Sequence, residues 1–97
     1  MPAIRQGTKV QPRTVAVSTT AVLLSSAGNW VERRFYNEGT DPVRLGRSNV
    51  TYNATATTDG ILLPASTYFI DENSIDAWYA ICANTKSTTV SVLEVKG

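Results

Sequence analysis

The sequence predicts an all-β fold: a small antiparallel β-sandwich, jelly-roll-like, with an extended N-terminal arm. Three observations predict it. Short apolar runs alternate with turn clusters from Thr14 to the C-terminus, a spacing that belongs to sandwiches and barrels rather than to helices or βαβ units. The clearest instance, Phe35-Tyr36-Asn37-Glu38-Gly39-Thr40-Asp41-Pro42-Val43-Arg44-Leu45-Gly46, reads as strand, polar turn, strand. Abundant Thr and Val suit a pleated, half-buried surface. A chain of 97 residues, 42% of them hydrophobic, can form one modest core, and a domain this small gains from oligomerisation. The expected division is an arm over residues 1–13 and the sandwich over 14–97.

The arm is expected because Pro2, Gly7 and Pro12 interrupt regular structure. Its charges are all basic, Arg5, Lys9 and Arg13, and no acid occurs before Glu32. An arm of one sign is suited to lie on a neighbouring subunit, so Ile4, Arg5, Lys9 and Arg13 are the candidate partner-binding residues. The first strand is expected over Thr14–Ser18, with Val15 and Val17 on one face. A second follows over Thr20–Ser25, and Ser26-Ala27-Gly28-Asn29 turns the chain. Trp30–Asn37 is the third run. Its alternation is broken, and the reading places Val31 and Phe35 inward, with the Arg33 stem along apolar surface and its head in water. The other face carries Trp30, Glu32, Arg34 and Tyr36. A helix is the rival, but Asn-Glu-Gly-Thr-Asp-Pro would cut it short.

Pro42–Gly46 is a short strand with Val43 and Leu45 inward. Residues 47–59 are small and polar, as in a long surface loop, with room for a short edge strand at 50–52. Gly60–Pro64 and Thr67–Ile70 are further strands, followed by an acidic loop containing Asp71, Glu72 and Asp76. The fully apolar run Ala77–Ala83 predicts a central strand. After the turn Asn84–Ser87, Thr88–Val95 is the last strand. Its phase shifts at Val92-Leu93, which predicts either a bulge or contacts on both faces.

The composition excludes several function classes. With no histidine, no Ser-His triad can form. There is no phosphate-binding glycine motif. Net charge is +1, too little for a broad nucleic-acid-binding face. The single cysteine, Cys82, lies in an apolar run and is read as a small buried residue. Asp71, Asn73 and Asp76 could supply oxygens to calcium, but their spacing is not that of an EF-hand loop, and they are read as a solvated acidic turn. No metal, cofactor or catalytic residue is expected. Residues 1–13 lack the apolar core of a secretory signal, and no apolar stretch is long enough to span a bilayer. A soluble protein made in the cytoplasm is therefore expected.

The residues also carry a resemblance. Thr14-Val15-Ala16-Val17-Ser18-Thr19-Thr20-Ala21-Val22-Leu23-Leu24, the Phe35–Gly46 stretch, Gly60-Ile61-Leu62-Leu63-Pro64-Ala65, and Trp78-Tyr79-Ala80-Ile81-Cys82 followed by Thr89-Val90-Ser91-Val92-Leu93-Glu94 together resemble the small β-sandwich virion proteins of tailed bacteriophages. In particular they resemble the capsid decoration (cement) proteins. The resemblance implies a non-catalytic structural role on the outer head surface of the virion, in which the protein stabilises capsomer contacts. It implies the major capsid protein and further copies of the chain, as dimer or trimer, as partners, with neither nucleic acid nor membrane. The candidate subunit contacts are Trp30, Arg34, Tyr36, Asp71, Glu72 and Asp76. The alternative is a tail- or fibre-associated adhesion or carbohydrate-binding module, using Trp30, Tyr36, Tyr52 and Trp78.

Overall fold

Alternation and turn chemistry resolve into eight strands in a computed structural model that describes residues 9–52, 60–72 and 74–96, with side chains from residue 12 onward. Ile4 and Arg5 lie outside the described residues. The strands are β1 (Lys9–Val17), β2 (Val22–Ser25), β3 (Trp30–Asn37), β4 (Val43–Gly46), β5 (Ile61–Leu63), β6 (Tyr68–Glu72), β7 (Trp78–Cys82) and β8 (Thr88–Lys96). They form two four-stranded sheets, ordered β1-β8-β3-β6 and β2-β7-β4-β5, and every pairing is antiparallel.

The pairing has a simple rule. The first strand pairs with the last, the second with the seventh, the third with the sixth and the fourth with the fifth. This is one long antiparallel hairpin rolled into a two-layer sandwich, the connectivity of a jelly roll. Every connection but β4–β5 crosses from one sheet to the other. The apolar run at 77–83 does become an interior strand, because β7 lies between β2 and β4.

The core lies between the layers. The first sheet contributes Val17, Phe35, Val90 and Val92, and the second contributes Leu24, Val43, Leu45, Leu63, Ala80 and Cys82. Phe35 stacks on Phe69 at 6.4 Å and meets Trp78 of the opposite sheet at 6.1 Å. Each end of the core is closed by polar side chains. At one end Asn37, fully buried, donates to the Asp41 and Leu63 carbonyls at 2.8 and 3.2 Å. Its carbonyl oxygen accepts from Thr88 Oγ1 at 2.8 Å and the Gly39 amide at 3.2 Å. The Asn-Glu-Gly turn legible in the sequence is thus an Asx turn that also plugs the sandwich. Gly39 is required there, since a Cβ would stand 1.8 Å from Thr88 Oγ1.

The structure departs from the sequence reading at several places. The first strand begins at Lys9 rather than Thr14, and residues 9–13 pair with 92–96 of β8. Pro12 fits because β1 is an edge strand, where a missing ladder donor is tolerated. Val31 faces solvent instead of the core, because a register irregularity between Trp30 and Glu32 rotates the start of β3. Arg33 is correspondingly buried, head included. Residues 50–52 form no strand; Val50 is buried and packs where a Cβ on Gly46 or Gly60 would be. Of the two alternatives left open for the phase shift at Val92-Leu93, the bulge is absent from β8. Its alternation is intact, but the inward position after Val92 is occupied by Glu94.

Candidate functional site

The alternation of four strands builds one exposed face. On the first sheet, Val15, Val17, Phe35, Val90 and Val92 point into the core, so their neighbours in sequence point outward. Register aligns these outward residues in rows across the sheet. One row is Thr14, Ser91, Tyr36 and Tyr68; the next is Pro12, Leu93, Arg34 and Ile70. Tyr68 is 60% exposed, and Tyr36 and Ile70 about two-fifths exposed. The Tyr36 and Tyr68 rings meet at 6.5 Å, tilted by 45°. Arg34 is held by an ion pair from its Nε to the Glu32 carboxylate. Where the small residues Thr14 and Ser91 lie, the face dips into a depression of about 530 Å³, walled by Tyr36, Tyr68, Arg34 and Leu93. Large exposed aromatic and aliphatic side chains grouped on one face mark an interaction surface.

Among the proposed contact residues, Arg34 and Tyr36 lie on this face, and Glu72 is exposed one row further on, opposite Glu32. Trp30 is half-buried at the end of the sheet. Its indole donates to the Ser26 carbonyl at 2.8 Å, and its ring centroid is 5.8 Å from the Arg33 guanidinium and 5.4 Å from the Lys96 ammonium. Asp76 is exposed and pairs with Arg47 at 3.0 Å. Tyr68, the most exposed of the aromatics, carries a signal that the sequence reading passed over: period-two alternation places it with Ile70, opposite Phe69.

Asp71 does something else. It is the fourth residue of β6, not part of a solvated loop, and its side chain is only 12% exposed. Arg33, with no exposure, donates to it from both Nε (3.1 Å) and Nη2 (2.8 Å). The same carboxylate oxygen accepts from the Trp78 indole at 3.1 Å. Arg33 also donates to Ser25 Oγ at 3.1 Å and Ser74 Oγ at 3.0 Å. Ser25 in turn donates to Glu94 at 2.5 Å, and Arg13 reaches both Glu94 and the Leu24 carbonyl. This network closes the end of the core opposite Asn37. Of the arm residues, then, Arg13 is tied to its own sandwich, and Lys9 stands in β1 opposite Lys96.

The calcium grouping does not form as read: Asp71 is engaged by Arg33 and Asp76 by Arg47, and Asn73 lies outside the described residues. Trp78 is partly buried against the core cluster, and Tyr52 lies under the Arg44 guanidinium at 5.9 Å.

Cys82 is buried as expected, with Sγ 3.6 Å from the Val17 carbonyl oxygen. Burial first, and the charge of Asp41 second, raise its thiol pKa above the ordinary value. The folded state therefore holds this proton more tightly than the unfolded state does. Its contribution is complete below the pKa of an unfolded thiol, about 8.5, and is lost as pH rises through the higher folded value. Thiol reagents are expected to label Cys82 only after denaturation, and Cys82→Ala should flatten part of the alkaline decline in stability. Rapid labelling of the folded protein would contradict this.

No protein-family model matches the chain, and no curated protein sequence matches it.

Proposed function

We propose that the protein is a structural component of a tailed-bacteriophage virion, a decoration (cement) protein that binds the outer surface of the head and stabilises contacts between capsomers. The observation that carries this reading is the rolled eight-stranded sandwich, with its antiparallel strand order and a broad outward face of Tyr36, Tyr68, Ile70 and Leu93. Jelly rolls recur in viral capsid and lectin domains. The sequence motifs that resemble decoration proteins fall on β1–β2, β3–β4, β5 and β7–β8, so the resemblance covers both layers. A head presents many equivalent sites, and modest contacts repeated over them gain from multivalency.

The test is to add purified protein to heads that lack it. Co-sedimentation with the heads, saturation at a fixed ratio to the major capsid protein, and a higher temperature of head disruption are expected. Heads that remain bare at saturating protein overturn the proposal.

A second reading, a tail- or fibre-borne carbohydrate-binding module, has the depression beside Tyr36 and Tyr68 in its favour, because aromatic faces stack on sugar rings. Binding on a glycan array that is lost with Tyr68→Ala would select it.

A further inference from the structure

Building on the carbohydrate reading of this face rather than on the capsid one, we infer that the depression on the β1-β8-β3-β6 sheet is a subsite for an uncharged oligosaccharide. The ligand has at least two sugar rings and lies across the strands.

The chemistry of one row points to a sugar. Thr14, Ser91, Tyr36 and Tyr68 stand side by side on β1, β8, β3 and β6, and each carries a hydroxyl that both donates and accepts. Neighbouring strands are about 4.8 Å apart, so a ligand laid along the row meets a hydroxyl at every strand. The same row offers apolar surface, because the Tyr36 and Tyr68 rings are exposed and Leu93 lines the depression beside them. A ligand that satisfies both has a face of C–H bonds and a rim of hydroxyls, which describes a pyranose ring. An acyl chain would leave the hydroxyl row unpaired, at a cost.

Ring geometry sets the length of the ligand. The Tyr36 and Tyr68 rings are 6.5 Å apart and tilted by 45°. One sugar ring cannot lie flat on both. Two rings turned against each other by their linkage can, one on each tyrosine. The depression holds about 530 Å³, within the span of roughly 300–1,000 Å³ that small-molecule sites occupy.

Charge disfavours acidic sugars. Over residues 12–16 of β1 and 89–95 of β8 no outward residue is charged. On β3 and β6 the outward charges are Glu32, Arg34 and Glu72. Arg34 is neutralised by Glu32, and Arg13, at the edge of the depression, turns to Glu94 and the Leu24 carbonyl. The face therefore has no surplus positive charge for a carboxylate or sulfate. The bond from Arg34 to Glu32 uses Nε. Its Nη donors, which bond no described residue, suit adjacent hydroxyls of a neutral sugar.

The test is a glycan array probed with the full chain, followed by calorimetry. The array carries linear chains of glucose, galactose, mannose and N-acetylglucosamine from monomer to hexamer, beside uronate- and sulfate-bearing chains. Binding to a neutral chain is expected, about tenfold tighter for the trimer than for the monomer and little changed by added salt. Tyr68→Ala should weaken it about tenfold, whereas Tyr68→Phe keeps the ring and most of the affinity. Ser91→Trp, on the solvent side of β8, fills the hollow and should abolish binding, which keeps the inference testable if Tyr68→Ala fails to fold. Retention of acidic chains alone, a monomer that binds as tightly as its trimer, or full binding by Ser91→Trp overturns the inference. The two levels fail differently. Acidic chains bound through Tyr68 overturn the uncharged ligand and keep the carbohydrate reading, and an array on which nothing binds overturns both.

Discussion

Arg33→Ala is expected to destabilise the protein by about 3–5 kcal/mol, the usual loss when one member of a buried ion pair is removed. The side chain has no solvent exposure and its head bridges Asp71, Ser25 and Ser74. Deleting it leaves the Asp71 carboxylate, itself mostly buried, with the Trp78 indole as its hydrogen-bond partner. An unpaired charge in that position has lost its water without gaining a counter-ion. For a domain of this size each kcal/mol moves Tm by roughly 4–8 °C, so a fall of at least about 12 °C is expected. Urea denaturation read by tryptophan fluorescence checks it directly, since Trp78 touches the site.

The cause can be separated from simple loss of volume. Combining Arg33→Met with Asp71→Asn removes both charges, fills most of the space and keeps an acceptor for the Trp78 indole. A neutral, well-packed replacement of a buried ion pair is often harmless, so the double variant should recover more than half of the loss. Added salt should not rescue Arg33→Ala, because a buried charge is little screened. A double variant no more stable than the single one would mean that geometry, not charge, dominates at this end of the core.

The strands were legible because they are short, separated by turn residues and mostly alternate in phase. Phe35–Gly46 gave its turn through Asn37, Gly39 and Pro42, and the apolar run at 77–83 gave an interior strand. The Arg33 network was not legible, for a physical reason. In sequence, Arg33 and Glu94 occupy core-phase positions and therefore read as flaws in the alternation. They become an internal ion-pair system only when β3, β8, β6 and the end of β2 are adjacent. Those adjacencies join residues far apart along the chain, which local periodicity does not encode. The same limit hid the candidate face. Tyr36 was singled out on its own strand, but its row-mates Tyr68, Ser91 and Thr14 are assembled by register alone.

Phe35→Ala is the second large effect, and here the cause is apolar. Phe35 is completely buried at the centre of the core. Its ring joins the two layers, through Phe69 of its own sheet and Trp78 of the other. Removing it takes away the transfer energy of the ring and leaves a cavity between rigid sheets, a loss of about 3–5 kcal/mol. Phe35→Leu keeps most of the volume and should cost about 1–2 kcal/mol. Phe69 meets Trp78 edge-on at 5.3 Å but is only partly buried, so Phe69→Ala should cost distinctly less than Phe35→Ala. The order Phe35→Ala, then Phe69→Ala, then Phe35→Leu is the informative result, read as urea midpoints at constant slope. If Phe69→Ala proved the more damaging, the aromatic contact between the layers would be centred on β6 rather than β3, and the core would not be the one described.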